Sequence, residues 1–314
     1  MMIKVMGYRL RVIGYRLWVV VILLLSPLTF NLSPLLRAQL LYDISGNSSR
    51  STSYILAVNP LVDQTFIDTI PNAYACFSRC DKVVTEFTMQ DHVALQTLRQ
   101  AALLPDSVRL TNFYTDREYR DIDEALRLAL DGLGLQQLGR MKPAYLTELY
   151  RNYLLRQWIG FDEQRSMQSF FQAVASERHL PVYGLDEAGE AMYMLFDREP
   201  FHYQCEQLLQ IVRYPEREVR LERDILAMYH SGRLTDIAFL LTAPDNTSTL
   251  SYSDYQIFAR RNRGWVKRLQ PYLKDGRCFI VLNAMYLGGD QGLLAELRAA
   301  GYKVRPHNRR RYTF

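Results

Sequence analysis

The chain has 314 residues, of which 48% are hydrophobic, and its 38 basic and 33 acidic residues give a formal net charge of +5. Five of the basic residues and none of the acidic ones lie in the first 38 positions, so the remainder holds 33 of each sign. This balance excludes a global electrostatic basis for nucleic-acid binding, which needs a clustered basic excess. About 275 residues of this composition can bury one large core or two modest ones.

The first 38 residues have the pattern of an export signal. A segment carrying four basic residues precedes the apolar run Leu17–Leu25, and a plausible cleavage site follows at Leu36-Arg37-Ala38. We therefore expect residues 1–38 to be a signal peptide and the mature protein to be exported, to the periplasm or outside the cell. An uncleaved anchor is the alternative, because Leu17–Leu36 carries no charge over 20 residues. Membrane contact is expected only through that anchor.

Six short runs rich in Val, Ile, Leu and Tyr have the composition of β-strands. In chain order they are residues 41–44, 53–58, 82–88, 181–185, 278–283 and 302–305. The middle of the chain, about residues 91–273, is mostly helical in pattern and contains one of these strands. We predict an α/β fold with a mixed central sheet flanked by helices, a long helical middle region and C-terminal strands that complete the sheet.

No linker or internal repeat divides the chain after the leader, so residues 39–314 are expected to form a single domain with a basic tail at 305–314. The tail is expected to be a solvated terminus, with an anion or membrane contact as the alternative.

The four cysteines have no zinc-site spacing. Two of them are four residues apart on a predicted helix, which does not favour a bridge, and the other two are expected to be core thiols; the four are Cys76, Cys80, Cys205 and Cys278.

Two apolar strands, in Tyr54–Pro60 and Phe279–Gly289, run into loops of the kind on which α/β proteins place their functional groups. A carboxylate lies at the end of each of two other strands. Glu86 closes the strand that begins at Lys82, and a carboxylate there is costly unless it is hydrogen-bonded, ion-paired or bound to a metal. Glu86 is therefore a candidate for a functional site, and a structural ion pair is the alternative.

Asp186 follows the strand 181–185 and is a second candidate, although the same position suits the N-cap of a following helix. Arg261 and Asn262 lie on a predicted helix, four and three residues before Trp265. An arginine beside carboxylates can neutralise a site or hold an oxyanion; the alternative for Arg261 is a surface position. No histidine is expected at a strand end or in a metal-binding spacing, and the serine-hydrolase, P-loop and Rossmann motifs are absent.

Eight short blocks follow one another along the chain. They are 41–47 (LYDISGN), 53–56 (SYIL), 80–86 (CDKVVTE), 103–106 (LLPD), 140–144 (RMKPA), 182–186 (VYGLD), 261–265 (RNRGW) and 287–294 (LGGDQGLL). In this order and spacing they resemble the TraB/GumN (PrgY) family, to which the Tiki membrane proteases are distantly similar. The resemblance spans about residues 41–306. It implies an α/β fold and, by analogy with Tiki, a metal-dependent peptidase with two Gly-x-x-His motifs and glutamates.

The resemblance assigns site positions residue by residue, and the assigned residues are Glu86, Asp186, Arg261 and Asn262. Asp186 stands where the family usually has glutamate, and Gln168 falls on a family aspartate. The first Gly-x-x-His motif falls on Ala57–Pro60 and the second on Asn283–Tyr286, so both motifs lack their glycine and their histidine. Pro60 offers no side-chain ligand, and the phenol of Tyr286 is a poor one near neutral pH.

We therefore expect a catalytically degenerate family member that needs no cofactor and binds a protein or peptide partner in the old cleft. The first alternative is an active hydrolase with a rebuilt site, in which Glu86, Asp186, Asn59 or Asn283 surround a hard cation such as Mn²⁺ or Mg²⁺. A structural or envelope-associated role unrelated to the cleft is the second alternative.

Overall fold

A six-stranded mixed sheet forms the centre of the computed structural model, which describes residues 39–47, 49, 51–88, 92–160, 162–242 and 252–307. The strands are β1 (Leu41–Gly46), β2 (Ser53–Val58), β3 (Lys82–Thr85), β4 (Val182–Gly184), β5 (Cys278–Asn283) and β6 (Tyr302–Pro306). All six predicted strands are present. The predicted signal peptide, residues 1–38, and residues 308–314 of the tail lie outside the described residues.

The strand order is β4-β3-β5-β2-β1-β6. Strands β4, β3, β5 and β2 are parallel to one another, whereas β1 is antiparallel to both β2 and β6. The predicted α/β fold with a mixed sheet is therefore confirmed. The C-terminal strands enter it at two different places: β6 adds to the edge, but β5 lies in the interior between β3 and β2. Burial along almost the whole of β2 and β5 fits this position, because a parallel strand covered on both faces is continuously apolar.

Helices supply most of the remaining described structure. They are α1 (Ala73–Phe77), α2 (His92–Ala101), α3 (Asp116–Ala129), α4 (Leu135–Leu138), α5 (Pro143–Ile159), α6 (Met167–Glu177), α7 (Ala188–Met192), α8 (Phe201–Arg213), α9 (Pro215–His230), α10 (Leu234–Thr242), α11 (Tyr252–Lys274) and α12 (Leu293–Ala299). Short 3₁₀ turns occupy Gln64–Thr69, Leu110–Asn112, Glu163–Arg165 and Ala284–Tyr286, and a π-helical turn follows α7 at Tyr193–Asp197. Within the described part of the chain, no helix is long and apolar enough to cross a membrane.

The helical middle region has a core of its own. Side chains from α3, α5 and α8, among them Leu126, Leu146 and Leu208, are fully buried against one another. Helix α5 starts with Pro143 at its first position, where a missing N–H costs nothing, and ends at Gly160 with a φ of 75°. Pro143 and Gly160 therefore set the two ends of α5, which forms one wall of a cleft beside the sheet.

A histidine after the last strand, His307, contacts side chains of β1 and α1. His307 directly follows β6, so the expectation that no histidine lies at a strand end is wrong; the strand runs one residue further than predicted. Its Nδ1 lies 2.7 Å from Asp43 Oδ1, and its Nε2 lies 3.6 Å from Cys76 Sγ. The Cys76 side chain is 1% exposed, and burial raises the pKa of its thiol to about 11. A buried, protonated thiol is suited to a structural role and is a poor nucleophile.

All four cysteines are buried free thiols. Cys205 lies in α8 and Cys278 starts β5, in agreement with their predicted core positions. Cys76 is in α1, whereas Cys80 lies beyond the end of that helix.

Candidate functional site

The carboxyl ends of β2, β3 and β5 open into a cleft of about 770 Å³, with α5, α6 and α9 contributing to its other walls. Ligands of open α/β sheets bind at this edge, beyond the carboxyl ends of the parallel strands. Seven positions that the sequence singles out for the site line the cleft, and they are Asn59, Pro60, Glu86, Gln168, Arg261, Asn283 and Tyr286. Asp186 and Asn262 lie behind this lining.

Glu86 lies at the sheet end of the cleft with its carboxylate engaged by the protein itself. Oε1 accepts a hydrogen bond of 2.8 Å from the backbone N–H of Asn283, and Oε2 lies 3.7 Å from Arg261 Nη2. Its side chain is 16% exposed. Burial raises the pKa of Glu86, and the positive charge of Arg261 and the Asn283 N–H only partly oppose that effect.

Asp186 is the most completely satisfied of the candidates. Oδ2 accepts hydrogen bonds from Nε of Arg261 at 2.9 Å and from Nη2 of the same guanidinium, and Oδ1 accepts one from Trp265 Nε1 at 2.5 Å. The side chain is 2% exposed. The alternative that Asp186 caps the next helix is wrong, because the N-cap of α7 is Glu187.

Arg261 joins the two carboxylates, and its surface alternative is wrong because its side chain is only 11% exposed. The guanidinium carbon lies 4.3 Å from the ring centre of Trp265 and 4.6 Å from that of Tyr286. Burial by itself lowers the pKa of Arg261, but Tyr286, Glu86 and Asp186 together raise it further above its already high ordinary value. The arginine is therefore a permanent positive charge between two acids and two aromatic rings.

Tyr286 occupies the position of the second motif histidine. Its residue is 8% exposed, and its ring meets that of Trp265 edge-on at 5.1 Å. Burial raises the pKa of the phenol to about 12, although Arg261 acts in the opposite direction. A phenol that stays protonated across the physiological range does not provide the anionic oxygen that a metal would need.

Asn262 fixes the loop that follows β5. Its Nδ2 donates to the carbonyl oxygens of Tyr286 at 3.1 Å and of Gln291 at 2.9 Å, and the residue is 2% exposed. The structure therefore gives Asn262 a positioning role, in which it holds the segment that carries Tyr286 against α11.

The remaining polar groups near the motif positions are engaged locally. Asn59 Oδ1 accepts the N–H of Leu61 at 2.9 Å, and Asn283 Oδ1 accepts the N–H of Met285 at 3.1 Å. Gln168 Nε2 donates to a threonine hydroxyl of β3 at 3.3 Å. Within the described residues, no group of three or more His, Cys, Asp or Glu side chains is placed to hold a metal ion. The engaged oxygens and the donor-free Pro60 do not fit the metal centre that the Gly-x-x-His motifs imply.

The other end of the cleft carries a second charged cluster that the sequence analysis missed. Arg151 on α5 and Glu218 and Glu222 on α9 line it, together with Glu148. The only signal for them in the sequence is the helical spacing of each pair, which is equally typical of a solvated helix face.

The family to which the chain belongs follows from comparison with known proteins. No curated protein and no solved structure is significantly similar to the chain. The profile described as the TraB/PrgY/gumN family, however, matches residues 40–306. That range includes the whole sheet, the cleft and both motif positions, so the chain belongs to the TraB/PrgY/gumN family.

Proposed function

We propose that this protein is a non-catalytic member of its family and that the cleft binds a peptide segment of a partner protein. The observation that carries the proposal is the engagement of the two candidate carboxylates. Both oxygens of Asp186 are hydrogen-bonded within the protein, and each oxygen of Glu86 faces an internal partner, a backbone N–H or Arg261.

Hydrolysis needs a group that activates water, and these residues are poorly suited to that task. A metal ligand must offer a free lone pair, and a general base must reach its proton within hydrogen-bond distance. Asp186 lies behind Arg261 and outside the lining of the cleft. Glu86 would have to leave the Asn283 N–H before it could serve either role.

The dimensions and lining of the cleft favour an extended ligand with amide groups. Its volume of about 770 Å³ is within the range of ligand sites, roughly 300–1,000 Å³. Asn152 and Gln172 line it, and neither makes a side-chain hydrogen bond to the described part of the chain. Such amides have both donors and acceptors to offer to a peptide backbone. Mixed with them are apolar side chains such as Leu155 and Met192.

Blocking the cleft tests the proposal. In the variant Gln172→Trp an indole would occupy the cleft, whereas Ala173→Trp places the same group on the exposed side of α6. Fluorescent random pentapeptides, acetylated and amidated, would be titrated against both variants and the unchanged protein. We expect binding by the unchanged protein and by Ala173→Trp, and none by Gln172→Trp. Equal binding by all three proteins, or by none, would refute the proposal.

The rebuilt-hydrolase alternative keeps one structural argument in its favour, since Glu86, Asn59 and Asn283 line the same cleft. Elemental analysis of the purified protein, combined with a peptide-hydrolysis screen, separates it from simple binding. Stoichiometric Mn²⁺ or Mg²⁺ and turnover that Glu86→Ala abolishes would favour the hydrolase and contradict our proposal.

We also propose export of the protein, from the leader pattern in residues 1–38. N-terminal sequencing of the mature chain would test that part.

A further inference from the structure

The charges that line the cleft do not balance. Five glutamates and three arginines contribute to the lining, and they are Glu86, Glu148, Glu199, Glu218, Glu222, Arg151, Arg198 and Arg261. Each arginine already faces an acid: Arg261 faces Glu86, Arg198 contacts Glu199, and Arg151 contacts both Glu148 and Glu218. Within the described part of the chain, no hydrogen bond or ion pair reaches Glu222.

Arg151 cannot satisfy all the carboxylates around it. Its Nη1 donates to Glu148 Oε1 at 2.9 Å, and its Nε lies 2.7 Å from Glu218 Oε1. The contact between Arg151 and Glu218 is an ion pair without the geometry of a hydrogen bond, and both of its atoms are buried. Glu218 is 9% exposed and also lines the cleft. The cluster of one arginine and three glutamates is therefore short of positive charge.

Glu222 is the member of this cluster that is open to a ligand. It lies one helical turn beyond Glu218 on α9, so the two carboxylates point to the same side of the helix. Leu155, Leu221 and Ile225 line the same part of the cleft. A carboxylate at the end of an apolar wall matches a long side chain that is aliphatic along its stem and cationic at its tip.

We propose that the helical end of the cleft receives a lysine or arginine side chain of the bound peptide, with Glu222 as its ionic partner. This inference rests on the proposed function, because it names the class of peptide that the cleft selects. The aliphatic stem lies along Leu155, Leu221 and Ile225, and the cationic tip pairs with Glu222. Burial raises the pKa of Glu222 to about 7; the neighbouring Glu218 and Glu148 add to this effect, and the positive charge of Arg151 opposes it.

Peptide libraries with one fixed position test the selection. Three acetylated, amidated pentapeptide libraries carry lysine, norleucine or glutamate at the centre and random residues elsewhere. Each would be titrated at about pH 8, by fluorescence polarisation, into the unchanged protein and two variants. Glu222→Gln removes the ionic partner, and Glu216→Gln removes a carboxylate from the exposed side of the same helix.

We expect the lysine library to bind about tenfold more tightly than the norleucine library, as one charge-assisted hydrogen bond would provide. Glu222→Gln should abolish this preference and retain the affinity for norleucine, while Glu216→Gln should change neither. If peptides bind and Gln172→Trp blocks them, but lysine is not preferred or the preference survives Glu222→Gln, the inference is overturned and the proposed function stands. If no library binds, both are overturned.

Discussion

Replacing Glu222 by glutamine should stabilise the folded protein at alkaline pH. Burial raises the pKa of Glu222 from 4.5 to about 7, so the folded state keeps a proton that the unfolded state has released. Between those two values the folded state binds more protons, and its free energy of unfolding therefore falls as the pH rises. Glutamine has the same shape and cannot ionise, so the variant avoids this loss.

The size of the effect follows from the interval between the two pKa values. An interval of about 2.5 pH units at 1.36 kcal/mol per unit sets an upper limit of about 3 kcal/mol. Because the side chain is only partly shielded from solvent, screening reduces this limit, and we expect a gain of ~1–3 kcal/mol. The gain should be fully present at about pH 8 and nearly absent at about pH 4, where Glu222 is mostly protonated in both states of the unchanged protein.

Urea unfolding, followed by circular dichroism at about pH 4 and pH 8, would measure the difference. Glu216→Gln is the matched control, since Glu216 is an exposed glutamate of the same helix and should give no pH-dependent gain. A Glu222→Gln variant that is equally or less stable than the unchanged protein at pH 8 would show that the carboxylate is well satisfied in the fold. That result would also weaken the inference that the Glu222 carboxylate binds a cationic side chain of the peptide.

Three further predictions concern the contacts that hold the site and the contact that holds His307 beside β1. Trp265→Phe removes the donor to Asp186 Oδ1 and should cost ~1–3 kcal/mol in urea unfolding; an unchanged midpoint would mean that water replaces the indole. Asn262→Ala frees two loop carbonyls, and the amides of residues 287–292 should then exchange hydrogen faster, whereas unchanged protection would argue against a positioning role. His307→Ala removes the contact with Asp43 and should speed exchange in β6 without altering peptide binding in the cleft; a loss of binding would contradict its separation from the site.

The sequence predicts the sheet and the sheet end of the site well because both depend on local pattern. Apolar runs mark each strand, and Glu86 and Asp186 stand out because each carboxylate directly follows one. The partner of Glu86 could not be predicted. It is the backbone N–H of Asn283, 197 positions away, and only the pairing of β3 with β5 brings the two together.

The roles of Asp186 and Glu222 also depend on residues that are distant in the sequence. The sequence after β4 is compatible with Asp186 either as an N-cap or as a buried carboxylate. Asp186 is a buried carboxylate because Trp265 and Arg261, both on α11, donate hydrogen bonds to it. Glu222 looks like any acid on an amphipathic helix. Its position in the cleft depends on how α9 packs against α5, which no local pattern encodes.

The interior position of β5 has a consequence for the order in which the protein can fold. Strands β2 and β3 have no contact with each other in the sheet, and each pairs with β5, which is formed by residues 278–283. During synthesis, β2 and β3 therefore cannot be joined into one sheet until residues 278–283 have appeared. Pairings over such sequence separations are slow to form, so β2 and β3 should keep an unpaired edge that is accessible to chaperones until β5 has been made.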